Sequence, residues 1–490
     1  MTVYSFPVLA RASGSQERSP RLLRITFIVV VLAFFGWFVG PALHGRLNTD
    51  DPMNIYYFWS RGPGQLVRNL FLFFTTYQRP MGGLYFSLIY HFFGVNPFAY
   101  HAVLTALLLL NTYLAYRFGR LLTGSELTGG LVALITTYQA QMAQTVYLPA
   151  FVFDVLCFTF YFLALNYYLA IRSRGARLSW KQAAAFLALY VGALDSKEMA
   201  VSLPVIVLLY EAIEHTPAAA GILKWLRREA LPSLVAGAMT LVYILGKTYG
   251  KETLVRVFPE YTPTFTWERY WESTMRFMRT MFYQPDSGTF FQPWRIVLLA
   301  AALVYLAVRT RRRDLLLMSL FVWITPLPIT FLPHRGGALL CIPFVGWAVL
   351  VAAASVALCG AAVKLPGLRR LPARAVTTVL VAAGIAAFWV KTESVNRRML
   401  PGYRSSGDLT ENVFRQVRQI QPSVKPGSRI YVLKGPFADW DMKFIFELTY
   451  HDRSVNVTLA EKTPLPPAEV AAMDYVFTWD NGKLVKLKGR

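Results

Sequence analysis

The amino-acid sequence predicts an α-helical protein that crosses a membrane about eleven times and ends in a small C-terminal α/β domain. The 490 residues are 55% hydrophobic, with a mean hydropathy of +0.39, which is too apolar for a soluble chain of this length. Several runs of close to twenty residues carry almost no charge, and a helix needs about that length to cross the hydrocarbon core. Lysine and arginine concentrate in short loops between these runs.

The predicted spans follow one another from the N-terminus to the start of the tail. They lie near 22–43, 97–116, 128–148, 150–171, 183–196, 197–213, 231–247, 294–308, 314–332, 338–363 and 375–391. The first is too long for the apolar region of a signal peptide and has no small-residue cleavage site after it, so it is predicted to be an uncleaved span. The fifth and sixth are short and flank Asp195-Ser196-Lys197-Glu198.

The distribution of basic residues predicts the orientation. With the N-terminus in the cytoplasm, every strongly basic short loop lies on the cytoplasmic side, as the positive-inside rule requires; these loops are 117–127, 172–181, 214–230, 309–313 and 364–374. An odd number of spans then places the tail outside, together with the long loops 44–96 and 248–293. The basic residues behind the net charge of +23 are therefore explained by the orientation of the chain in the membrane. We expect no nucleic-acid partner.

The tail has a different pattern, which predicts two domains, 1–391 and 392–490. Short β-like runs begin at Arg429, Ser454 and Tyr475 and alternate with helical patterns, which is typical of a small α/β domain. Asp480-Asn481-Gly482-Lys483 predicts a hairpin turn after the last run. The three cysteines lie inside apolar runs, so they predict neither a disulfide framework nor a metal site.

Charged residues converge on the predicted outer face, where they cost free energy unless they are paired or functional. They are Asp50-Asp51, Arg79, Asp195-Ser196-Lys197-Glu198 and His334-Arg335. A carboxylate can take a proton from a hydroxyl nucleophile, and lysine and arginine can hold a phosphate while negative charge builds on it. Each group also has a plainer interpretation: a solvated loop, an ion pair at a helix start, or a contact with lipid headgroups.

Three segments resemble the GT-C membrane glycosyltransferases, and among these the protein O-mannosyltransferase and TMTC branch. They are the acidic pair followed by Tyr77-Gln78-Arg79-Pro80, the stretch Gly94-Val-Asn-Pro-Phe-Ala-Tyr-His101, and the run from Leu194 to Glu211 that contains Ser196-Lys197-Glu198-Met-Ala. The resemblance covers roughly residues 20–345. It implies a polyprenyl-phosphate sugar donor in the membrane, inversion at the sugar and an acidic loop residue as base, hence a mannosyltransferase-like hexosyltransferase.

The resemblance and the charges together suggest roles for individual residues. Asp50 is the first choice of catalytic base and Asp51 the second, and the adjacency of the two carboxylates should raise the pKa of one. The donor phosphate would be held by Arg79, Lys197 and Arg335. Glu198, expected to orient Lys197, and His334 would support them. The acceptor would be a hydroxyl on a protein, a glycan or a lipid. No cofactor is required, and a divalent metal would be compatible with the two carboxylates.

The sequence also departs from this branch and leaves alternatives open. The branch often has His-Pro-x-His-x-Glu where this chain reads Gln139-Ala-Gln-Met-Ala-Gln144, and the tail lacks tetratricopeptide repeats. Asp439-Trp-Asp441 has the form of a metal-dependent nucleotide-sugar motif, but a three-residue match is weak. The alternatives are a lipid or small-molecule transporter or flippase, and a non-catalytic GT-C relic. Short loops and a small tail favour a bacterial inner membrane with the tail in the periplasm.

Overall fold

The structure is a computed structural model, and it describes residues 20–72, 79–216, 221–249, 262–333, 335–437 and 440–489. The described chain is mostly helical and carries one four-stranded sheet near its C-terminus. Seven of its helical segments are long and apolar enough to cross a membrane. The predicted fold class, a polytopic helical membrane protein with a small C-terminal α/β domain, is therefore confirmed.

The helices are numbered here in chain order. They are α1 (Pro20–Phe38), α2 (Asp50–Arg61), α3 (Pro63–Phe71), α4 (Pro80–Phe93), α5 (Pro97–Thr123), α6 (Glu126–Thr137), α7 (Gln144–Tyr147), α8 (Val152–Arg172), α9 (Trp180–Leu194), α10 (Leu203–Glu214), α11 (Ile222–Arg228), α12 (Leu231–Tyr249), α13 (Trp267–Met281), α14 (Pro293–Arg309), α15 (Arg313–Ile324), α16 (Leu327–Thr330), α17 (Cys341–Ala362), α18 (Ala373–Ile420), α19 (Asp441–Tyr450) and α20 (Pro467–Ala471).

The seven long apolar segments contain α1, α5, α8, α12, α15 with α16, α17 and α18. The other four predicted spans coincide with α6, α9, α10 and α14, which have 12, 15, 12 and 17 residues. These helices are shorter than the roughly 20 residues that usually cross a bilayer. The figure of eleven spans therefore stays a prediction.

The fifth and sixth predicted spans are two helices joined by an irregular segment, residues 195–202. Helix α9 begins at a capping box in which Ser179 and Gln182 bond to each other's backbone N–H groups, which satisfies two donors at its first turn. After α9 the backbone at Lys197 is extended, with φ −165° and ψ 155°, and one 3₁₀ turn, Glu198–Ser202, leads into α10. This break brings charged side chains to the end of two apolar helices.

The predicted long loop 44–96 folds in its described part into α2, α3 and α4. The rings of Phe58 in α2 and Phe86 in α4 are stacked with centroids 6.3 Å apart, and both contact Phe153 in α8. Helix α5 then starts at Pro97, and the side chain of Asn96 accepts a hydrogen bond from the N–H of Phe98. Aromatic packing and this cap fix the short helices against the membrane-spanning part.

The C-terminal sheet has the strand order β2-β1-β3-β4, with β1 (Arg429–Val432), β2 (Asn456–Leu459), β3 (Tyr475–Asp480) and β4 (Lys483–Lys488). Strand β1 pairs in parallel with β2 and β3, whereas β3 and β4 form an antiparallel hairpin. Asn481 and Gly482 have φ angles of 47° and 79°, as the predicted two-residue turn requires. The three predicted strands and the hairpin turn are confirmed.

Helix α18 is one continuous helix of 48 residues with an apolar first half and a polar second half, and residues 421–428 connect it to β1. The chain passes residue 391 inside this helix, so the boundary between the two predicted domains stays a prediction. Helix α19 packs on α2, where the rings of Phe444 and Tyr56 lie 5.5 Å apart. Arg453 also donates to the carbonyl oxygen of Trp59 at 2.7 Å. The sheet region is thereby held against the helix that begins with the acidic pair.

Candidate functional site

The acidic pair forms the first turn of α2, and its two side chains lie in different environments. Asp50 is exposed, whereas Asp51 is completely buried. The carboxylate of Asp51 accepts a hydrogen bond from the N–H of Asn48 and another from the N–H of Ala150, both at 2.6 Å. A helix N-terminus favours negative charge, and Asp51 also ties this turn to the segment before α8. Asp50 is therefore the carboxylate of the pair that can meet a substrate.

Burial raises the pKa of Asp51 from 3.8 to about 8, because a carboxylate loses hydration when it is charged inside protein. The two backbone hydrogen bonds lower this pKa, and the nearby Asp50 and Asp441 raise it further. The sequence predicted a raised pKa from the adjacency of two carboxylates. The direction agrees, but the main cause is burial, and Asp50 contributes less.

Lys197 forms a buried ion pair with a carboxylate that sequence reasoning missed. Its Nζ lies 2.5 Å from Oδ2 of Asp154, and the two side chains are 10% and 2% exposed. Asp154 stands in the first turn of α8 and is the one charged residue in the apolar run 150–171. A lone charge in a membrane span is rare unless it is paired or functional, and this signal could have revealed it.

Arg79 and Glu198 form the second ion pair of the site. Nη2 of Arg79 lies 2.9 Å from Oε2 of Glu198, and the guanidinium lies 5.4 Å from the centre of the Phe153 ring. The expectation that Glu198 orients Lys197 is wrong, because Glu198 bonds to Arg79 and Lys197 bonds to Asp154. Extended backbone at Lys197 directs consecutive side chains to opposite sides, so neighbours in sequence have different partners.

Lys247, at the end of α12, adds a third cation that sequence reasoning also missed. Its charge interacts with those of Arg79, Asp195 and Glu198. Asp195 is 2% exposed, and its Oδ1 accepts no hydrogen bond within the described part of the chain. A lysine that ends an apolar run could have been noticed. With it, the cluster contains three carboxylates and three cations.

The segment after α16 covers the same end of α8. A Cβ at Gly337 would lie 2.9 Å from Oε1 of Gln144, and Sγ of Cys341 lies 3.9 Å from the carbonyl oxygen of Asp154. Arg335, partly buried, precedes these residues in the same segment, so its phosphate-binding role stays a prediction. His334 and Asp439 lie outside the described residues.

One short segment of the chain connects the acidic turn to the cations. Ala150 bonds to Asp51, Phe153 stacks with Arg79, and Asp154 pairs with Lys197. One helical turn rises about 5.4 Å, so these contacts lie within roughly a turn of one another. Among the described residues, no group of three or more histidine, cysteine, aspartate or glutamate side chains could hold a metal ion.

These features define a polytopic helical membrane protein with a cluster of paired charges at the start of α8. No protein-family model matches the sequence, and no curated protein matches it either. The solved structures that are similar to it include two of ArnT from Cupriavidus metallidurans. The apo crystal structure has 12% identity and a TM-score of 0.48 and covers 94% of this chain and 93% of its own. The structure bound to undecaprenyl phosphate has 15% identity and a TM-score of 0.45, with coverages of 96% and 98%.

At these identities and TM-scores, what either structure binds is a property of ArnT and is not assigned to this chain. The narrower resemblance to the O-mannosyltransferase or TMTC branch stays a prediction.

Proposed function

We propose that this chain is an inverting membrane glycosyltransferase that moves a sugar from a polyprenyl-phosphate donor to a hydroxyl acceptor. The supporting observation is that residues 150–154 contact both the helical turn that carries the exposed Asp50 and two fixed cations, Lys197 and Arg79. Asp51 bonds to Ala150 on one side of this segment, and Lys197 pairs with Asp154 on the other. The transfer of a sugar from a phosphate to an alcohol needs a base for the alcohol proton and cations that bind the phosphate.

In the proposed reaction, Asp50 takes the proton of the acceptor hydroxyl as its oxygen attacks the anomeric carbon of the sugar. The bond between that carbon and the phosphate oxygen breaks, and its electron pair stays on the lipid phosphate. Attack from the side opposite the phosphate inverts the anomeric centre. Lys197, Arg79 and Arg335 stabilise the charge that builds on the leaving phosphate.

The ion pairs formed by these cations are compatible with phosphate binding. An ammonium has three N–H donors, and Lys197 gives one of them to Asp154, so two remain for phosphate oxygens. Nε and Nη2 of Arg79 donate to the carboxylate of Glu198 at 3.4 and 2.9 Å. The carboxylates thus fix the positions of both cations, and Lys197 keeps N–H donors for a ligand.

The same proposal includes a location and a substrate class. The basic loops favour an outer-face site, in a bacterial inner membrane with the C-terminal region in the periplasm. A hexose is the proposed sugar. A protein, a glycan or a lipid would supply the hydroxyl.

Transfer from a labelled donor tests the proposal. Purified protein is incubated with radiolabelled polyprenyl-phosphate hexoses and a membrane extract as acceptor, and label in the acceptor fraction is counted. Lys197→Ala should lose most of the transfer, since one phosphate contact disappears from the transition state. Lys181→Ala is the matched control, because this lysine stacks on Trp180 at the other end of α9. Equal activity of both variants, or transbilayer movement of the donor without transfer, would refute the proposal.

A further inference from the structure

A cavity of about 450 Å³ lies apart from the charged cluster, between the membrane-spanning part and the C-terminal sheet region. It is bounded by the end of α4, the start of α5, the polar half of α18 and the end of α19. Its walls include Tyr90, Phe93, Glu411, Phe414, Arg418 and His451. Small-molecule sites generally have volumes of about 300–1,000 Å³ and combine apolar walls with a few polar groups.

The cavity contains one carboxylate and one guanidinium on the same helix. Glu411 and Arg418 are seven residues apart in α18, so they lie two turns apart on one face, about 10 Å along the axis. Arg418 lies 5.7 Å from the centre of the Phe414 ring. Within the described residues, neither Glu411 nor Arg418 forms an ion pair. Both charges therefore remain for a ligand.

Tyr90 and His451 form another part of the cavity wall, and their side chains bond to each other. The hydroxyl of Tyr90 donates to the carbonyl oxygen of Leu448 at 3.0 Å, and Nδ1 of His451 lies 3.0 Å from the same hydroxyl. Because that hydroxyl already donates its proton, Nδ1 of His451 is the donor in the second contact. The imidazole also stacks on the Tyr90 ring with centroids 5.0 Å apart. These contacts hold the cavity wall in place without using Glu411 or Arg418.

The cavity lies beside the start of a candidate membrane span. Helix α5, a candidate span of 27 residues, begins at Pro97 in the cavity wall. Phe92, Phe93 and Phe98 beside it are 70%, 58% and 56% exposed. Exposed aromatic side chains next to the start of a span are typical of the membrane–water interface. A ligand can therefore place a polar head in the cavity and apolar chains along α4 and α5.

We propose that this cavity binds the headgroup of a glycerophospholipid that carries both a phosphate and a primary ammonium. Arg418 holds the phosphate through charged hydrogen bonds from its guanidinium. Glu411 accepts hydrogen bonds from the ammonium. The inference rests on this cavity alone and does not depend on sugar transfer.

The charge pattern distinguishes this headgroup from the other common ones. A glycerol headgroup has a phosphate but no cation, so it leaves Glu411 without a partner in the cavity. A choline headgroup has a cation without N–H donors, so it cannot hydrogen-bond to Glu411. Selectivity here is a difference between affinities, and Glu411 is the residue that produces it.

Native mass spectrometry of the full chain tests the proposal. The protein is released from bilayers containing equal amounts of phosphatidylethanolamine, phosphatidylglycerol and phosphatidylcholine, and retained lipids are counted. We expect wild type to retain phosphatidylethanolamine preferentially. Arg418→Ala should weaken retention of that lipid about tenfold, since a charged hydrogen bond is lost. Arg415→Ala is the control, because Arg415 is exposed on the same helix and bonds to Asn412.

Glu411→Gln separates the two halves of the proposal. The amide keeps the size of the side chain but loses its charge, so preference for phosphatidylethanolamine over phosphatidylcholine should disappear while phosphatidylglycerol is retained at least as well. The proposal is overturned if wild type retains the three lipids equally, if Arg415→Ala loses as much as Arg418→Ala, or if Glu411→Gln keeps the wild-type preference. Matching circular dichroism spectra show that the variants are folded.

Discussion

Removing the carboxylate of Asp154 is expected to destabilise the protein by about 3–5 kcal/mol. Oδ2 of Asp154 lies 2.5 Å from Nζ of Lys197, and the side chains are 2% and 10% exposed. In Asp154→Ala the ammonium stays buried and loses its counter-ion, and an uncompensated buried charge is costly. The pair of Arg46 and Asp408 is the control, since its side chains are 49% and 64% exposed. Asp408→Ala should cost no more than about 1 kcal/mol.

A double-mutant cycle separates the ion pair from the cavity that alanine creates. Lys197→Met replaces the ammonium with an apolar chain, so the double variant contains no unpaired buried charge and should be more stable than Asp154→Ala alone. We expect a coupling energy of about 1–3 kcal/mol. Equilibrium unfolding in mixed detergent micelles, followed by tryptophan fluorescence, measures each variant. Additive effects, or equal costs for Asp154→Ala and Asp408→Ala, would refute the claim that Asp154 holds Lys197.

Three further predictions concern the acidic turn and the orientation of the chain. Asp50→Asn should insert normally and bind donor, but its rate of sugar transfer should fall roughly a hundred- to ten-thousand-fold. Asp51→Asn should lose less activity. Wild-type rates in both variants would exclude a carboxylate base. Since folding raises the pKa of Asp51 from 3.8 to about 8, the folded protein binds this proton more tightly, and its stability should fall as pH rises between those values. The unfolding temperature of Asp51→Asn should not show this part of the dependence on pH. Ser423→Cys should react with an impermeant thiol reagent in intact cells; labelling only after lysis would reverse the topology.

Hydropathy and turn chemistry predicted most of the architecture, because both depend on short segments. Apolar runs located the helices, and Asn481-Gly482 located the hairpin, whose two positive φ angles few other residue pairs accept. The same reasoning could not predict which of Asp50 and Asp51 is buried and which is exposed. Successive residues of a helix are rotated by about 100°, so the two side chains of an adjacent pair can lie in different environments. Which one is buried depends on how α2 packs, and the sequence does not state that.

The partners of buried charges were harder to predict, for a reason that two residues illustrate. Asp154 and Glu211 each stand in an apolar run, and each must have a partner, since a lone buried charge is unstable. The structure pairs Asp154 with Lys197 at the start of α8, and Glu211 with Arg172 at its other end, at 2.6 Å. A charge in an apolar run therefore predicts that a partner exists. Only the packing of α8 against its neighbours decides whether that partner lies beside the acidic turn or at the opposite end of the helix.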